Sequence, residues 1–231
     1  MAAPFSGFPK DFFRFFDELA AHNEKPWFEA NKQRYRDVVV GSSSAFIEAM
    51  APRLAKISKH VIADPRPNGG SMFRIYRDVR FSKDKRPYKD HAGIHFRHRD
   101  GKTAHAPGYY VHLSPSEVFF GGGVWMAEPD ALQKIRRAIA TKSAAWNRAV
   151  GSPQFTKLFG EVQGEALQRP PKGFDPAHPL IDVIKQKSFF AMQQASVKQA
   201  QAKDFAERAE AAFVACRPLL KFLCDAVDAP F

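Results

Sequence analysis

The fold is decided by three stretches in the middle of the chain, His91-Ala-Gly-Ile-His-Phe-Arg-His98, Gly108-Tyr-Tyr-Val-His-Leu113 and Val118-Phe-Phe120. The first two alternate between the two sides of a strand, the period of a half-buried sheet. Asp100-Gly101 favours a hairpin between them, and Pro115-Ser116 favours a turn before the third. The pattern predicts consecutive short antiparallel strands.

Helical patterns lie on both sides of these strands. Before them, the spacing of apolar residues and the caps predict helices from Asp11 to His22, from Pro26 to Tyr35 and from Ser42 toward His60. After them, Glu128-Pro-Asp130 starts a helix, and the last helix runs from about Ala202 to Val227. Helices before and after a run of strands are the α+β order. We therefore expect an α+β fold with a mainly antiparallel sheet of short strands, packed by N-terminal and C-terminal helices.

Shorter elements complete the prediction. A period of two from Met72 indicates a strand of about five residues, and Gly121-Gly-Gly123 is expected to break the sheet. The four prolines between Arg169 and Pro179 exclude a helix and predict an extended loop. A short helix, Leu180–Lys187, and a strand, Ser188–Met192, should follow.

The whole chain has 231 residues, of which 45% are hydrophobic, so it can bury one sizeable core. We expect a single domain over residues 1–231. No apolar run is long enough for a transmembrane helix, and the N-terminus has no signal-peptide pattern. Cys216 and Cys224 lie eight residues apart in one helical pattern, too far to bridge, which fits a cytoplasmic protein.

Positive charge is concentrated between Met72 and His105, where ten Lys and Arg accompany four Asp. This segment carries more than half of the formal net charge of +11. Alternating apolar residues, from Phe73 and Ile75 to Val79 and Phe81, give it an apolar face that a free basic tail would lack. The segment is therefore a candidate anion-binding site.

Several side chains of this segment suit an anion. Guanidinium groups bind phosphate or carboxylate in pairs of hydrogen bonds, while ammonium and hydroxyl groups add single donors. The candidate ligand-binding residues here are Arg74, Arg77, Arg80, Ser82, Lys85, Tyr88 and Lys89. In the alternative interpretation, Arg77 and Arg80 pair with Asp78, Asp84 or Asp90 and only brace a long loop.

Histidines form a second constellation. His91 and His95 share a strand face, and His105 and His112 flank the neighbouring strand. Their spacing matches no zinc signature, and the positive surroundings disfavour a divalent cation, so no metal site is predicted. Ordinary packed or exposed histidines remain an alternative. If one of them acts as a general acid or base, His91 is the best candidate, because it follows the basic segment directly.

Three further residues complete a hypothetical cleft beside the basic segment, namely Tyr110, His112 and Trp125. Gly121-Gly-Gly123 precedes Trp125, and consecutive glycines let backbone amides approach a phosphate. The alternative is that a neighbouring backbone crowds the glycines. The P-loop pattern is incomplete, and no particular cofactor is indicated.

Four blocks of the chain resemble a known family. They are Phe73-Arg-Ile-Tyr-Arg-Asp-Val-Arg-Phe-Ser-Lys-Asp-Lys-Arg-Pro-Tyr-Lys89, Gly108-Tyr-Tyr-Val-His-Leu-Ser114, Phe120-Gly-Gly-Gly-Val-Trp-Met-Ala-Glu-Pro129 and Arg169-Pro-Pro-Lys-Gly-Phe-Asp175. Together with Trp27-Phe28 they are similar to a widespread family of conserved microbial proteins, known only as a domain of unknown function. The resemblance implies one α+β domain of this length and supplies no activity or catalytic residue.

Three functions are compatible with these observations. The leading hypothesis is a ligand-binding or enzymatic domain that holds a phosphorylated, carboxylated or otherwise anionic small molecule. The second is a nucleic-acid-binding module, in which the same cations contact phosphates and Tyr76, Phe81 or Tyr88 stack on bases. The third is a structural or partner-binding protein without chemistry.

Overall fold

The computed structural model describes residues 5–101 and 106–231. In this part of the chain the sheet consists of β1 (Ala92–Arg97), β2 (Gly108–Leu113), β3 (Val118–Val124) and β4 (Phe189–Ala195). The strands lie in the order of the sequence, and each neighbouring pair is antiparallel. The predicted α+β class, with an antiparallel sheet between N-terminal and C-terminal helices, is confirmed.

The α-helices of the described residues are α1 (Lys10–Ala21), α2 (Lys25–Ala30), α3 (Lys32–Arg34), α4 (Gly41–Ile57), α5 (Pro129–Thr141), α6 (Ser143–Val150), α7 (Pro153–Phe159), α8 (Ile181–Ile184), α9 (Val197–Ala200) and α10 (Phe205–Ala226). A π-helical segment, Tyr35–Val40, joins α3 to α4. The proline-rich stretch between residues 169 and 179 is an irregular loop, as predicted.

The N-terminal helices divide differently from the prediction. The expected helix through Tyr35 is interrupted after Ala30, where the Asn31 backbone leaves the helical region (φ −104°, ψ 9°) and the Asn31 side-chain amide donates to the Trp27 carbonyl at 3.0 Å. Helix α4 then starts at Gly41 without a side-chain cap, since the π-helical segment leads directly into it. The predicted cap at Ser42–Ser44 is therefore wrong.

One face of the sheet, the inner face, packs against helices. Tyr109 of β2 stacks on Phe213 of α10 with 4.5 Å between ring centres, and both side chains are fully buried. Phe46 of α4 packs against Phe96 of β1 and Phe205 of α10. Aromatic rings from both ends of the chain thus fill the core under the sheet, where each buried ring removes on the order of 150–250 Å² from water.

The opposite face, here called the outer face, carries Gly93 and His95 of β1, Tyr110 and His112 of β2, and Phe119 of β3. Tyr110, His112 and Phe119 remain partly exposed, whereas the inner-face residues between them are buried. The strand period of two therefore separates the core from a face that presents aromatic and histidine side chains.

The glycine triplet does not break the sheet, contrary to the prediction. Gly121, Gly122 and Gly123 lie inside β3 and pair with β2 on one side and β4 on the other. A Cβ on Gly121 would collide with the Ala191 carbonyl, and one on Gly123 with the Phe189 carbonyl. The expected crowding by a neighbouring backbone is confirmed, and it permits the close approach of β4.

The predicted strand from Met72 is also absent as a continuous element. The segment makes isolated bridges, Met72 to Ile94 and Tyr76 to Tyr88, along the edge of the sheet and at the base of the loop. The predicted apolar face ends early, because Ile75 is buried while Phe81 is 96% exposed. The apolar alternation therefore reflects only the part of the segment that touches β1.

Candidate functional site

A cluster of five side chains at one end of the outer face forms the candidate site. We call Asp90, His91, Tyr110, His112 and Phe119 the His–Tyr cluster. The register explains it: His112 pairs with Gly93, two residues after His91, and Phe119 pairs with His112. The rings stand in a row, with 4.3 Å between the centres of His91 and His112 and 4.5 Å between those of His112 and Phe119.

Hydrogen bonds orient both imidazoles. His91 Nδ1 lies 3.1 Å from Asp90 Oδ1, so the ring donates this N–H to the carboxylate. The Tyr110 hydroxyl lies 3.3 Å from His112 Nδ1. We assign Tyr110 as the donor to Nδ1, and with this assignment the neutral His112 ring carries its proton on Nε2. The two histidines therefore present opposite hydrogen-bonding characters at Nε2, an acceptor on neutral His91 and a donor on His112.

Burial sets the charges of the cluster. It lowers the pKa of His112 to about 4, and the neighbouring His91 lowers it further in the same direction. Burial raises the pKa of Tyr110 to about 12. Burial opposes ionisation of Asp90, but the hydrogen bond from His91 and the nearby Arg86 keep the pKa of Asp90 below its ordinary value. At neutral pH the cluster thus holds a carboxylate, a neutral imidazole and a neutral phenol.

Gly93 makes room for this arrangement. A Cβ there would lie 2.7 Å from the Tyr110 hydroxyl and 3.0 Å from the Phe73 ring. Phe73 in turn lies over the face, with 6.2 Å from its ring centre to that of Tyr110 and 5.9 Å to that of His95. The missing side chain lets Tyr110 reach His112, and Phe73 supplies an apolar wall beside them.

Three arginines of the basic segment, Arg77, Arg80 and Arg86, are paired within it. Arg77 Nη1 lies 2.7 Å from Asp84 Oδ2, and Arg86 Nη2 lies 2.8 Å from the same oxygen. Arg80 pairs with Asp78 at 2.7 Å. Arg77 and Arg80 are therefore paired with carboxylates of their own segment, as in the bracing interpretation. Anion binding by these residues stays a prediction, and it would require them to leave their carboxylates.

Lys85, Lys89, Arg74 and Ser82 are the other predicted ligand-binding residues of this segment whose surroundings the structure shows. Lys85 Nζ donates to the Val79 carbonyl at 3.0 Å, and Lys89 Nζ donates to the carbonyls of Arg74 and Tyr76. Burial lowers the pKa of Lys89, and repulsion from Arg74 and Arg77 adds to this. The exposed Arg74 forms no ion pair with any residue in the described ranges, and Ser82 is partly buried.

Tyr88, a predicted ligand-binding residue, has a structural role. Its side chain is only 3% exposed and stacks on Phe28 at 4.3 Å between ring centres. Asn23 accepts from the Tyr88 amide and donates to the Tyr88 carbonyl, each at 3.0 Å. Asn23 thus holds the backbone two residues before Asp90, and the Tyr88 ring is not available for stacking on a ligand.

Trp125 lies beyond the end of β3 that is remote from Phe119, and the glycine triplet runs toward it from Gly121, which pairs with Tyr110. Trp125 is 59% exposed and follows β3, whereas Phe119 lies near its start. Six residues of strand correspond to about 20 Å, so Trp125 does not form a wall beside His112 as the hypothetical cleft required. Because β3 is paired on both sides, the glycine amides belong to the sheet and form no phosphate cradle.

His95 is buried, with its ring over Gly108, and His105 lies outside the described residues. Within residues 5–101 and 106–231, no group of three or more His, Cys, Asp or Glu side chains is arranged to hold a metal ion.

The sequence prediction contained His91, Tyr110 and His112 but assigned Asp90 only a bracing role and missed Phe119. Both residues could have been assigned to the site from the sequence. Asp90 is adjacent to His91, and a turn over residues 114–117 that pairs Leu113 with Val118 also places Phe119 opposite His112. Register therefore brings the cluster together.

Comparisons with known proteins agree with the resemblance noted in the sequence. Every helix within residues 5–101 and 106–231 is too short or too polar to cross a bilayer. No curated protein matches the chain. Residues 11–222 match DUF2461, described as a conserved hypothetical protein family, and the chain therefore belongs to that family.

Proposed function

We propose that the protein binds an anionic small molecule at the His–Tyr cluster and transfers protons to or from it. The observation that carries this proposal is the stacked pair of imidazoles, His91 and His112, each oriented by its own partner, Asp90 and Tyr110. A packed structural histidine does not need a second histidine at 4.3 Å together with a carboxylate and a phenol.

The hydrogen bonds suit acid–base chemistry at two neighbouring atoms of a ligand. Asp90 holds the Nδ1 proton of His91, which leaves Nε2 as a base and stabilises the imidazolium that forms when it takes a proton. His112 stays neutral and presents its Nε2–H as a donor to developing negative charge. The pair therefore fits removal of a proton from one atom while the adjacent oxygen of the ligand is stabilised.

The charge around the cluster favours an anionic ligand. Residues 77–89 immediately precede Asp90 and contain six Lys and Arg against two Asp. This excess positive charge raises the local concentration of phosphorylated or carboxylated molecules and stabilises them once bound. Phe73 provides an apolar contact for the uncharged part of such a molecule.

Nucleic-acid binding is the second candidate, and Phe81 is the observation that favours it. Its ring is 96% exposed, with the Arg80 guanidinium 5.8 Å from its centre. Against this role, Tyr88 is buried, and the rings of His112 and Phe119 cover one another's faces at an interplanar angle of 6°. Base stacking needs free ring faces, so the cluster suits a small molecule better.

A thermal-shift screen tests the proposal. The purified protein is scanned with phosphate, sulfate, sugar phosphates, nucleotides, small carboxylates, divalent metals and short single-stranded RNA, at low and high salt. A small anion at about 100 times its Kd should stabilise the protein by about 2.7 kcal/mol. The shift should survive high salt, disappear in His91→Gln and persist in His22→Gln, which alters an exposed histidine outside the cluster.

Other results of the screen reject the proposal. A shift only with RNA that vanishes at high salt would support nucleic-acid binding, because counterion release makes such binding steeply salt-dependent. No shift with any compound would favour a structural or partner-binding role. A shift that both histidine variants retain would place the ligand elsewhere.

A further inference from the structure

Asp84 sits between two arginines of the basic segment. Arg77 Nη1 donates to its Oδ2 at 2.7 Å, and Arg86 donates through Nη2 to Oδ2 at 2.8 Å and through Nε to the same oxygen at 3.0 Å. The Arg86 amide also donates to Oδ1 at 3.0 Å. One carboxylate thus receives donors from two guanidinium groups and one backbone amide, which is how proteins bind a free carboxylate or phosphate.

The same turn occurs elsewhere in the chain with only one hydrogen-bonded arginine. Asp78 accepts from the Arg80 amide, Nε and Nη2 at 3.3, 3.0 and 2.7 Å, and the nearby Arg74 acts on it through charge alone. Asp64 accepts from the same three groups of Arg66 at 3.0, 3.0 and 2.6 Å, and the nearby Arg97 likewise acts through charge alone. An Asp-x-Arg turn therefore forms without a hydrogen bond from a second guanidinium, and Arg77 is an addition that the turn itself does not require.

A contribution to folding stability is a poor explanation for the second arginine, Arg77. The side chains of Arg77, Arg86 and Asp84 are 26%, 49% and 38% exposed, and ion pairs that are partly exposed to solvent contribute little to folding. Two guanidinium groups that converge on one point repel each other unless an anion lies between them. Without the Asp84 carboxylate, Arg77 and Arg86 would form a site that attracts an anion from solution.

This site adjoins the His–Tyr cluster. Arg86 precedes Asp90 by four residues. Burial and the hydrogen bond from His91 have the larger effects on the pKa of Asp90, and the positive charge of Arg86 also lowers that pKa. An anion held by Arg86 would therefore lie near the end of the chain segment that positions His91.

We propose that Asp84 is an internal ligand in an anion-recognition site formed by Arg77 and Arg86, and that the phosphoryl or carboxylate group of the ligand displaces it. This inference rests on the proposed function in one respect, because the ligand that displaces Asp84 is taken to be the molecule on which His91 acts. It adds Arg86 to the recognition residues and gives Asp84 the role of a competitor that weakens the binding of simple anions.

Isothermal titration calorimetry with inorganic phosphate and with acetate tests this inference. Asp84→Asn keeps the shape of the side chain and removes its charge, so phosphate should bind at least about tenfold tighter than to the unmodified protein. Asp78→Asn is the matched control, because it frees Arg80 in the same kind of turn without a second hydrogen-bonded arginine, and it should give no comparable gain. Tightening with acetate as well would show that a planar carboxylate suffices.

The gain should be lost when Arg77→Gln or Arg86→Gln is added to Asp84→Asn. Equal affinities of Asp84→Asn and Asp78→Asn would overturn the inference, since general removal of negative charge would then explain the result. A folded Asp84→Asn protein, verified by circular dichroism, that binds phosphate no better than the unmodified chain would overturn it as well.

The two proposals fail separately. If Asp84→Asn gains phosphate affinity and retains it when His91→Gln is added, the anion site exists whether or not His91 does chemistry. If Asp84→Asn gains nothing while a compound from the thermal-shift screen still depends on His91, the proposed function stands and the role of Asp84 is wrong.

Discussion

Replacing His112 by Phe removes a titrating group while keeping a ring between His91 and Phe119. In the folded protein burial lowers the pKa of His112 from 6.5 to about 4. Between these values the unfolded chain takes up a proton that the folded chain does not, so the free energy of unfolding falls as the pH falls. The contribution of His112 is complete above pH 6.5 and is lost as the pH approaches 4. At 1.36 kcal/mol for each pKa unit, the total loss is about 3 kcal/mol.

Urea unfolding followed by tryptophan fluorescence at several pH values between 7.5 and 4.5 measures this effect. The stability difference between the unmodified protein and His112→Phe should change by about 1 kcal/mol per pH unit below pH 6.5, to the disadvantage of the unmodified protein. Loss of the Tyr110 hydrogen bond adds a constant offset and does not affect this slope. A difference that is independent of pH would refute the buried, neutral state of His112.

Three further predictions concern the framework around the site. Gly122→Ala should destabilise the protein by about 1–3 kcal/mol in urea unfolding, because its Cβ would lie 2.8 Å from the Tyr109 ring, whereas Gly41→Ala in a helix, with its nearest atom at 3.7 Å, should not. Asn23→Ala should lower the free energy of unfolding by about 1–3 kcal/mol and weaken the ligand response, because both Tyr88 backbone groups lose their partner. Asn23→Asp retains only the acceptor, so its free energy of unfolding should lie between those of Asn23→Ala and the unmodified protein. Both cysteine thiols are buried, with pKa values raised to about 12 by burial, so a thiol reagent should modify them in denaturant and not in the folded protein.

The strands of the hairpin were predictable because their signals are local. The β2 bounds, Gly108–Leu113, agree with the prediction, since its apolar residues alternate and the turns on both sides contain Gly, Asp, Pro and Ser. The continuation of β3 through Gly121-Gly-Gly123 was not predictable from the sequence, because glycine weakens an isolated strand. Only the close approach of β4, which lies about 70 residues later in the chain, makes glycine necessary there.

The N-terminal helices show another limit. Nothing in Tyr35–Val40 marks a π-helix, whose wider turn is decided by packing against the rest of the molecule. Helices α6 and α7 were missed for a related reason, since each is short and acquires its stability from buried anchors such as Trp146 and Phe155.

The site was predictable residue by residue but not as an arrangement. His91, Tyr110 and His112 were identified from their positions near the basic segment, while their contact depends on the register of β1 against β2. The pairing of Arg77 with Asp84, seven residues apart, depends on how the backbone between them turns. Composition therefore identified the charges of the segment and raised their mutual pairing as an alternative to anion binding, but it did not decide between the two.

The most direct test of the central claim is nitrogen-edited NMR of the imidazole side chains while a small anion identified by the thermal-shift screen is added. The His91 and His112 signals, assigned with His91→Gln and His112→Phe, should move together and reach half of their total shift at the Kd that calorimetry gives for the same anion. A ligand that binds with the same affinity while both imidazole signals stay unchanged would contradict the account, because the stacked pair would then lie outside the binding site.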